Sequence, residues 1–300
     1  PVGPWGSGID IPWVEGDPAA AQWNLENFSR SLDMLKKYGF TSFSGRPHIR
    51  VTLDGGKIAI DTATADSEMR LIREKGFDQT ISTYGIRTLG YNLYLGPTQK
   101  DADHAGVATP QELANKMFAE IDAHAVANNW APVAYNLCDE PIGAQIPVAV
   151  ATAKIHREAA KGLERTTFMG ATSMTGSDPK DPHYELLQAL PMPALTLFDE
   201  DALGVIKAAG NAFGYYNGGS RWTFGFYMKM LKDRHALALR LNWHFNVAVG
   251  NPYYALDCRE DDYCWFNTNA RGDMVPSRSF LQEMVPGLND YRRLLELDRQ

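Results

Sequence analysis

The 300 residues are 44% hydrophobic and 22% charged, ordinary globular proportions that leave apolar material for one large core. A formal net charge of −7 and a pI near 5.5 argue against a nucleic-acid partner, which needs a basic face. No run of about eighteen apolar residues occurs, so no helical membrane span is expected.

Strand and helix signals then alternate along the chain, the pattern of a parallel sheet covered by helices. The first strand is expected near 2–12. A helix follows in which Leu25, Phe28, Leu32 and Leu35 recur at three- and four-residue steps, stopping at Lys36, Lys37 and Gly39. The second strand is expected near 40–44. Ile49, Val51 and Leu53, then Asp54-Gly55-Gly56, then Ile58 and Ile60 read as a β-hairpin inserted near residues 48–60. The third strand falls near 79–85. Thr109-Pro110-Gln111-Glu112 opens a helix with a cap residue, a first-turn proline and an acid, and Leu113, Met117, Ile121 and Ala125 mark its buried face. Further strands are expected near 131–138, 165–171, 193–198, 212–216 and 237–243. The aromatic and acidic stretch 249–277 reads as a loop. Pro286 interrupts the last helix, where Leu288, Tyr291, Leu294 and Leu295 form the apolar stripe.

Eight such units without an internal repeat or linker predict an α/β fold, a (β/α)₈ TIM barrel with one hairpin insertion, as a single domain over residues 1–300. Because the chain starts at Pro1 without Met, it is expected to be a piece of a longer one, and a periplasmic or extracellular place is favoured.

In such a barrel the chemistry lies at the C-terminal strand ends. The fourth strand supplies the sharpest signal: Tyr135-Asn136-Leu137-Cys138 runs into Asp139-Glu140-Pro141. Two adjacent carboxylates repel, so one tends to keep its proton, as a general acid must. The bland alternative is that both acids cap the next helix, starting after Pro141 or Pro147. Cys258 and Cys264 are spaced for a small-loop disulfide or stand as free thiols. The seven histidines are scattered without H-x-H or H-E-x-x-H pairs, and no phosphate-binding glycine loop occurs, so no metal or cofactor is expected.

The Tyr135–Pro141 segment resembles the Y-x-x-x-D-E-P strand of glycoside hydrolase family 123 and of the related domain of unknown function 4091. Arg240-Leu241-Asn242-Trp243 is similar to the last barrel strand of that group. Pro276-Ser277-Arg278, followed by Pro286-Gly287-Leu288-Asn289-Asp290-Tyr291-Arg292, is similar to its closing S-x-R…R-x-G-L-x-D-Y-E helix, from which Pro286 and Arg292 depart. The resemblance covers the C-terminal half and only the general layout of the first hundred residues. It implies cleavage of N-acetylgalactosaminide-like sugars by substrate assistance. Asp139 would hold the 2-acetamido group whose carbonyl oxygen attacks the anomeric carbon, and Glu140 would protonate the leaving oxygen and later activate water.

The implied partner is an oligo- or polysaccharide, with the oligomeric state left open. Sugars stack C–H faces on rings and need polar partners for their hydroxyls. Trp5, Trp13, Tyr84, Tyr216, Trp222, Trp243, Tyr253, Tyr254 and Trp265 all fall near predicted strand ends or their loops. The expected substrate-binding set is Tyr84, Asn136, Asp199, Tyr216, Asn217, Trp243 and Tyr254, while Arg46 and His48 lie equally well in a pocket or a solvated turn. Tyr215-Tyr216-Asn217-Gly218-Gly219 after the seventh strand contains no acid, as substrate assistance allows, but Phe198-Asp199-Glu200-Asp201 ends the sixth. Two rival readings therefore stand: a two-carboxylate glycosidase pairing Glu140 with Asp199 or Glu200, and a non-catalytic carbohydrate-binding or structural barrel.

Overall fold

The computed structural model describes residues 2–4, 18–43, 45–83, 89–172, 176–195, 199–215, 236–241, 266–268 and 274–276, with scattered positions of the C-terminal helical stretch. In chain order the elements are β1 (Val2–Pro4), α1 (Pro18–Lys37), β2 (Arg50–Asp54), β3 (Lys57–Asp61), α2 (Ala63–Glu74) and β4 (Ile81–Thr83). Next come α3 (Gln99–Ala105), α4 (Pro110–Ala127), β5 (Val133–Asp139), α5 (Gln145–Ala159), β6 (Thr166–Thr172) and α6 (Pro182–Ala189). The chain continues with β7 (Pro193–Leu195), α7 (Glu200–Ala208), β8 (Phe213–Tyr215), β9 (Ala236–Leu241), β10 (Phe266–Thr268) and β11 (Met274–Pro276). They fall into two units, residues 44–216 and residues 1–43 with 217–300. No helix among the described residues is long and apolar enough to cross a membrane.

In the unit of residues 1–43 and 217–300, β1 runs parallel to β9 and β10 pairs antiparallel with β11. Helix α1 buries Phe28, Leu32 and Leu35, the stripe its spacing predicts. It ends where Gly39 takes φ +81°, with Gly39 N–H donating to Lys36 O and Phe40 N–H to Leu35 O. This is a Schellman stop, and a β-carbon would resist that φ. The second strand expected near 40–44 is corrected here, because residues 40–43 carry no strand structure. Their apolar residues serve as plugs: Phe40 and Phe43 are buried, and Phe43 meets Phe28 edge-on at 5.7 Å.

In the unit of residues 44–216, the expected hairpin is present. Strands β2 and β3 pair from Arg50–Asp61 to Asp54–Lys57, and the two-residue turn has Gly55 at φ +57° and Gly56 at φ +76°. Two positive φ values in succession define a type I′ turn, whose twist matches the strands. The turn is docked by Gly56 N–H donating to His104 O at 3.1 Å, and Gly106 Cα is open because a β-carbon there would lie 2.6 Å from Gly56 O.

The centre of this unit is a parallel sheet in the order β4-β5-β6-β7-β8, a half-barrel whose successive crossover helices pack side by side. Sequential parallel order with right-handed crossovers puts the helices on one face. The aromatics agree: Tyr135 of β5 and Phe168 of β6 both meet Phe118 of α4, the second ring pair T-shaped at 4.7 Å. His156 of α5 closes that cluster. Helix α4 starts as its sequence predicts, with Thr109 accepting from Glu112 N–H, and it buries Leu113, Met117, Ile121 and Ala125. Among the described residues of this unit, five strands make a half-barrel, not a closed ring of eight.

Candidate active site

Strand β5 carries the acid pair, and its register determines where the first acid points. Tyr135 pairs with Phe168 and Asn136 with Met169, but the next partners are Asp139 and Ala171. Leu137 and Cys138 thus stand against the single residue Gly170, which is a β-bulge. In a regular strand Asp139 would share the face of Tyr135, toward the helices. The extra residue moves it to the face of Asn136, Met169 and Ala171, away from the helices. Asp139 is exposed at the end of this face, whereas Asn136, Met169 and Ala171 are buried.

The bulge ends in a second irregularity. Glu140 has φ +47°, a conformation that costs an L-residue roughly 1 kcal/mol, while its N–H donates to Ala171 O at 3.0 Å. Strain of this kind concentrates at sites where direction matters more than stability. Partial desolvation of its carboxyl, then the neighbouring Glu140 charge, raise the Asp139 pKa above the ordinary aspartate value. A raised carboxylate pKa at a strand end is the property expected of a group that handles protons or developing charge. The capping alternative does not hold, because the N-cap of α5 is Ala144, with no side-chain cap bond and no acid in the first turn.

Two further groups belong to this strand end. Asn136 is fully buried, and its Nδ2 donates to Tyr94 Oη at 3.0 Å while its Oδ1 has no hydrogen-bond partner. Tyr94, half-buried in the loop before α3, was missed by sequence reasoning. Behind the acids, His183 of α6 bridges the Pro141 carbonyl and Asp181, at 3.2 and 3.0 Å. Cys138 is a free, buried thiol pushed up to about 12 by desolvation and by Asp139, so it is chemically quiet at neutral pH.

The other expected residues are distributed as follows. Asp199 is the N-cap of α7, its Oδ1 accepting from Ala202 N–H at 2.9 Å, and Glu200 is exposed in the first turn. Arg46 is buried, whereas His48 is exposed. Buried Arg46 holds Glu68 at 3.0 Å, and Glu68 in turn binds both the N–H and Nδ1 of His48 at 2.8 Å. Burial alone would raise the Glu68 pKa, but the Arg46 charge and the bonds from His48 bring it below the ordinary glutamate value. Glu68 is a buried acid on the apolar stripe of α2, beside Ala65, Met69 and Ile72. Its placement there was the available signal. Among the described residues no group of three or more His, Cys, Asp or Glu side chains could hold a metal ion. Tyr84, Tyr216, Asn217, Trp243 and Tyr254 lie outside the described residues, as do Cys258, Cys264, Trp5, Trp13, Trp222, Tyr253 and Trp265.

No family model and no curated protein matches the sequence, so the likeness to family 123 remains a resemblance of motifs. Among solved structures, a family 138 glycoside hydrolase targeting the pectin rhamnogalacturonan II aligns at 14% identity and TM-score 0.40, over 97% of this chain and 39% of that one. A GH5_4 protein solved with cellotriose aligns at 12% identity and TM-score 0.45, over 97% of this chain and 94% of the other. A dipeptide epimerase from Enterococcus faecalis V583 also aligns, at 14% identity and TM-score 0.38, over 78% of this chain and 53% of that one. The chain therefore spans well under half of the family 138 enzyme. Likenesses this loose, to enzymes of unrelated chemistry, carry no weight for activity.

Proposed function

We propose that this chain is a glycoside hydrolase working with Asp139 and Glu140. The observation that carries the reading is the bulged end of β5, which turns Asp139 away from the helices and puts a second carboxylate directly after it in a strained backbone. A sugar-cleaving site needs one group to give a proton to the leaving oxygen and another to meet positive charge at the anomeric carbon or on a participating substituent. Adjacent carboxylates on one strand end supply both.

The finer reading is substrate assistance on 2-acetamido sugars. The acetamido carbonyl oxygen bonds to the anomeric carbon as Glu140 passes its proton to the leaving oxygen, and Asp139 faces the acetamido nitrogen as it becomes cationic. Water then opens the cyclic intermediate, giving its proton to Glu140. Asn136, Tyr84, Asp199, Tyr216, Asn217 and Tyr254 are offered as sugar ligands, with Trp243 as the stacking ring. The capping role of Asp199 favours this mechanism over a two-carboxylate one that would recruit it as nucleophile, because one of its oxygens is already engaged.

The test is a panel of aryl glycosides with and without a 2-acetamido group. Hydrolysis restricted to the acetamido substrates supports assistance, whereas cleavage of plain hexosides replaces it with the two-carboxylate mechanism. No turnover on either group or on natural glycans refutes the hydrolase reading and leaves a carbohydrate-binding or structural barrel.

A further inference from the structure

The bulge that aims Asp139 is occupied on its helix side by a contact that none of the catalytic chemistry uses. Gly170 is the single β6 residue facing Leu137 and Cys138, and by register it shares the face of Phe168, toward the helices. A β-carbon built on Gly170 would lie 2.5 Å from Cys138 Sγ and 2.9 Å from both Leu190 methyls. The absent side chain is therefore the seat in which the Cys138 sulfur rests. That sulfur also lies 3.8 Å from Ala171 O, the carbonyl to which Glu140 N–H donates. Thiol and amide thus converge on one peptide group of β6, with the Asp139 backbone held between them.

We propose that Cys138 seated on Gly170 is the latch that fixes the β5 bulge, and that these two residues are positioning residues for the Asp139–Glu140 pair. A buried thiol in a sheet is usually packing alone. Here its seat exists only because the opposite residue lacks a side chain, and the strand changes face at that position. Without the latch, β5 has a competing regular register in which Leu137 and Cys138 no longer bulge and Asp139 turns toward the helices. A slip of one residue exchanges the faces of everything beyond it.

This inference rests on β5 being the catalytic strand, but its test is read on the protein without substrate. Carbon-detected titration of the Asp139 carboxyl reports its surroundings directly. In Gly170→Ala the new methyl group displaces the sulfur, and in Cys138→Ala the sulfur is gone; in both, the slipped register turns the carboxyl toward the apolar helix layer and should move the Asp139 midpoint upward, further from the ordinary aspartate value. In the double variant the methyl group introduced at position 170 fills the space the sulfur left, so the wild-type midpoint should return, a non-additivity expected only of groups in contact. Cys138→Ala is the milder change and serves alone if Gly170→Ala does not fold. An unmoved midpoint in a folded single variant, or a double variant no closer to wild type than either single, overturns the latch. If the titrations behave as expected but no glycoside is cleaved, the latch stands and the proposed activity falls.

Discussion

At the scale of single residues, Glu140 and Asp139 are neighbours with different tasks, and their loss should be distinguishable. Glu140→Gln keeps the shape but removes the proton, so hydrolysis of substrates with poor leaving groups should fall about 10²–10⁴-fold. An activated aryl leaving group departs without protonation, so on such a substrate kcat/KM, which reports that step, should largely survive, while kcat falls because Glu140 no longer takes the proton of the attacking water. That survivor permits a second reading. If catalysis needs Asp139 ionised, its raised pKa places the acidic limb of the pH–rate profile above the ordinary aspartate range. The Glu140 charge is the smaller of the two causes and desolvation the larger. Replacing Glu140 by Gln should therefore move the limb downward in pH while leaving it above the ordinary value. A limb that does not move would remove the neighbouring charge from the account. Tyr94 can be probed the same way: Tyr94→Phe deletes the acceptor of Asn136 Nδ2, leaving a buried donor unpaired. An unpaired buried donor costs about 1–3 kcal/mol of stability, checked by chemical denaturation.

At the scale of elements, the helix layer behind the sheet contains its own titrating group. His156 of α5 is fully buried; its Nδ1–H donates to Thr152 O at 2.8 Å, which leaves Nε2 to accept from the Tyr91 hydroxyl at 2.9 Å. This arrangement requires the neutral ring. Burial pulls its pKa from 6.5 down to about 4. The sign follows from linkage: below pH 6.5 the unfolded chain takes up a proton that the folded chain refuses. The neutral His156 therefore contributes fully above pH 6.5, and that contribution is lost as the pH falls toward 4, by about 3 kcal/mol at most. Denaturation midpoints across this window should fall less steeply in His156→Gln, which keeps polar contacts without the titration. Equal slopes in the two proteins would show that other groups set the acid limit. Two helix ends were easy to read from the sequence, the stop of α1 and the start of α4. Thr109 caps α4, and Gly39, Gly76, Gly106 and Gly210 take positive φ just past α1, α2, α3 and α7. Such signals act within a few residues and need no partner strand.

Over the whole molecule, what was readable and what was not separate by the distance at which each feature is decided. The alternation of strands and helices and the Gly55-Gly56 hairpin rest on neighbouring residues, and so does the acid pair after an apolar strand. The bulge at Leu137–Cys138 depends on Gly170 in the next strand, and the Asn136–Tyr94 bond spans 42 residues. Phe40 and Phe43 look like strand residues because burial and strand pairing favour the same side chains, and only the fold decides between them. The direction of Asp139 belongs to this long-range class, and the decisive functional experiment is the one that isolates it. If Asp139 faces a participating acetamido group, Asp139→Asn replaces a charge that stabilises the cationic nitrogen with an amide that does so poorly. The rate of forming the cyclic intermediate should then fall about 10²-fold or more even with an excellent leaving group, in contrast to Glu140→Gln. A thiazoline mimic of the intermediate should inhibit the parent protein and bind the Asp139→Asn variant weakly, since it carries the same developing charge. If Asp139 instead acts only as an anionic neighbour of Glu140, thiazoline affinity should be equal in the two proteins and only the pH profile should change. Equal affinity would thus end substrate assistance while leaving the acid pair in place.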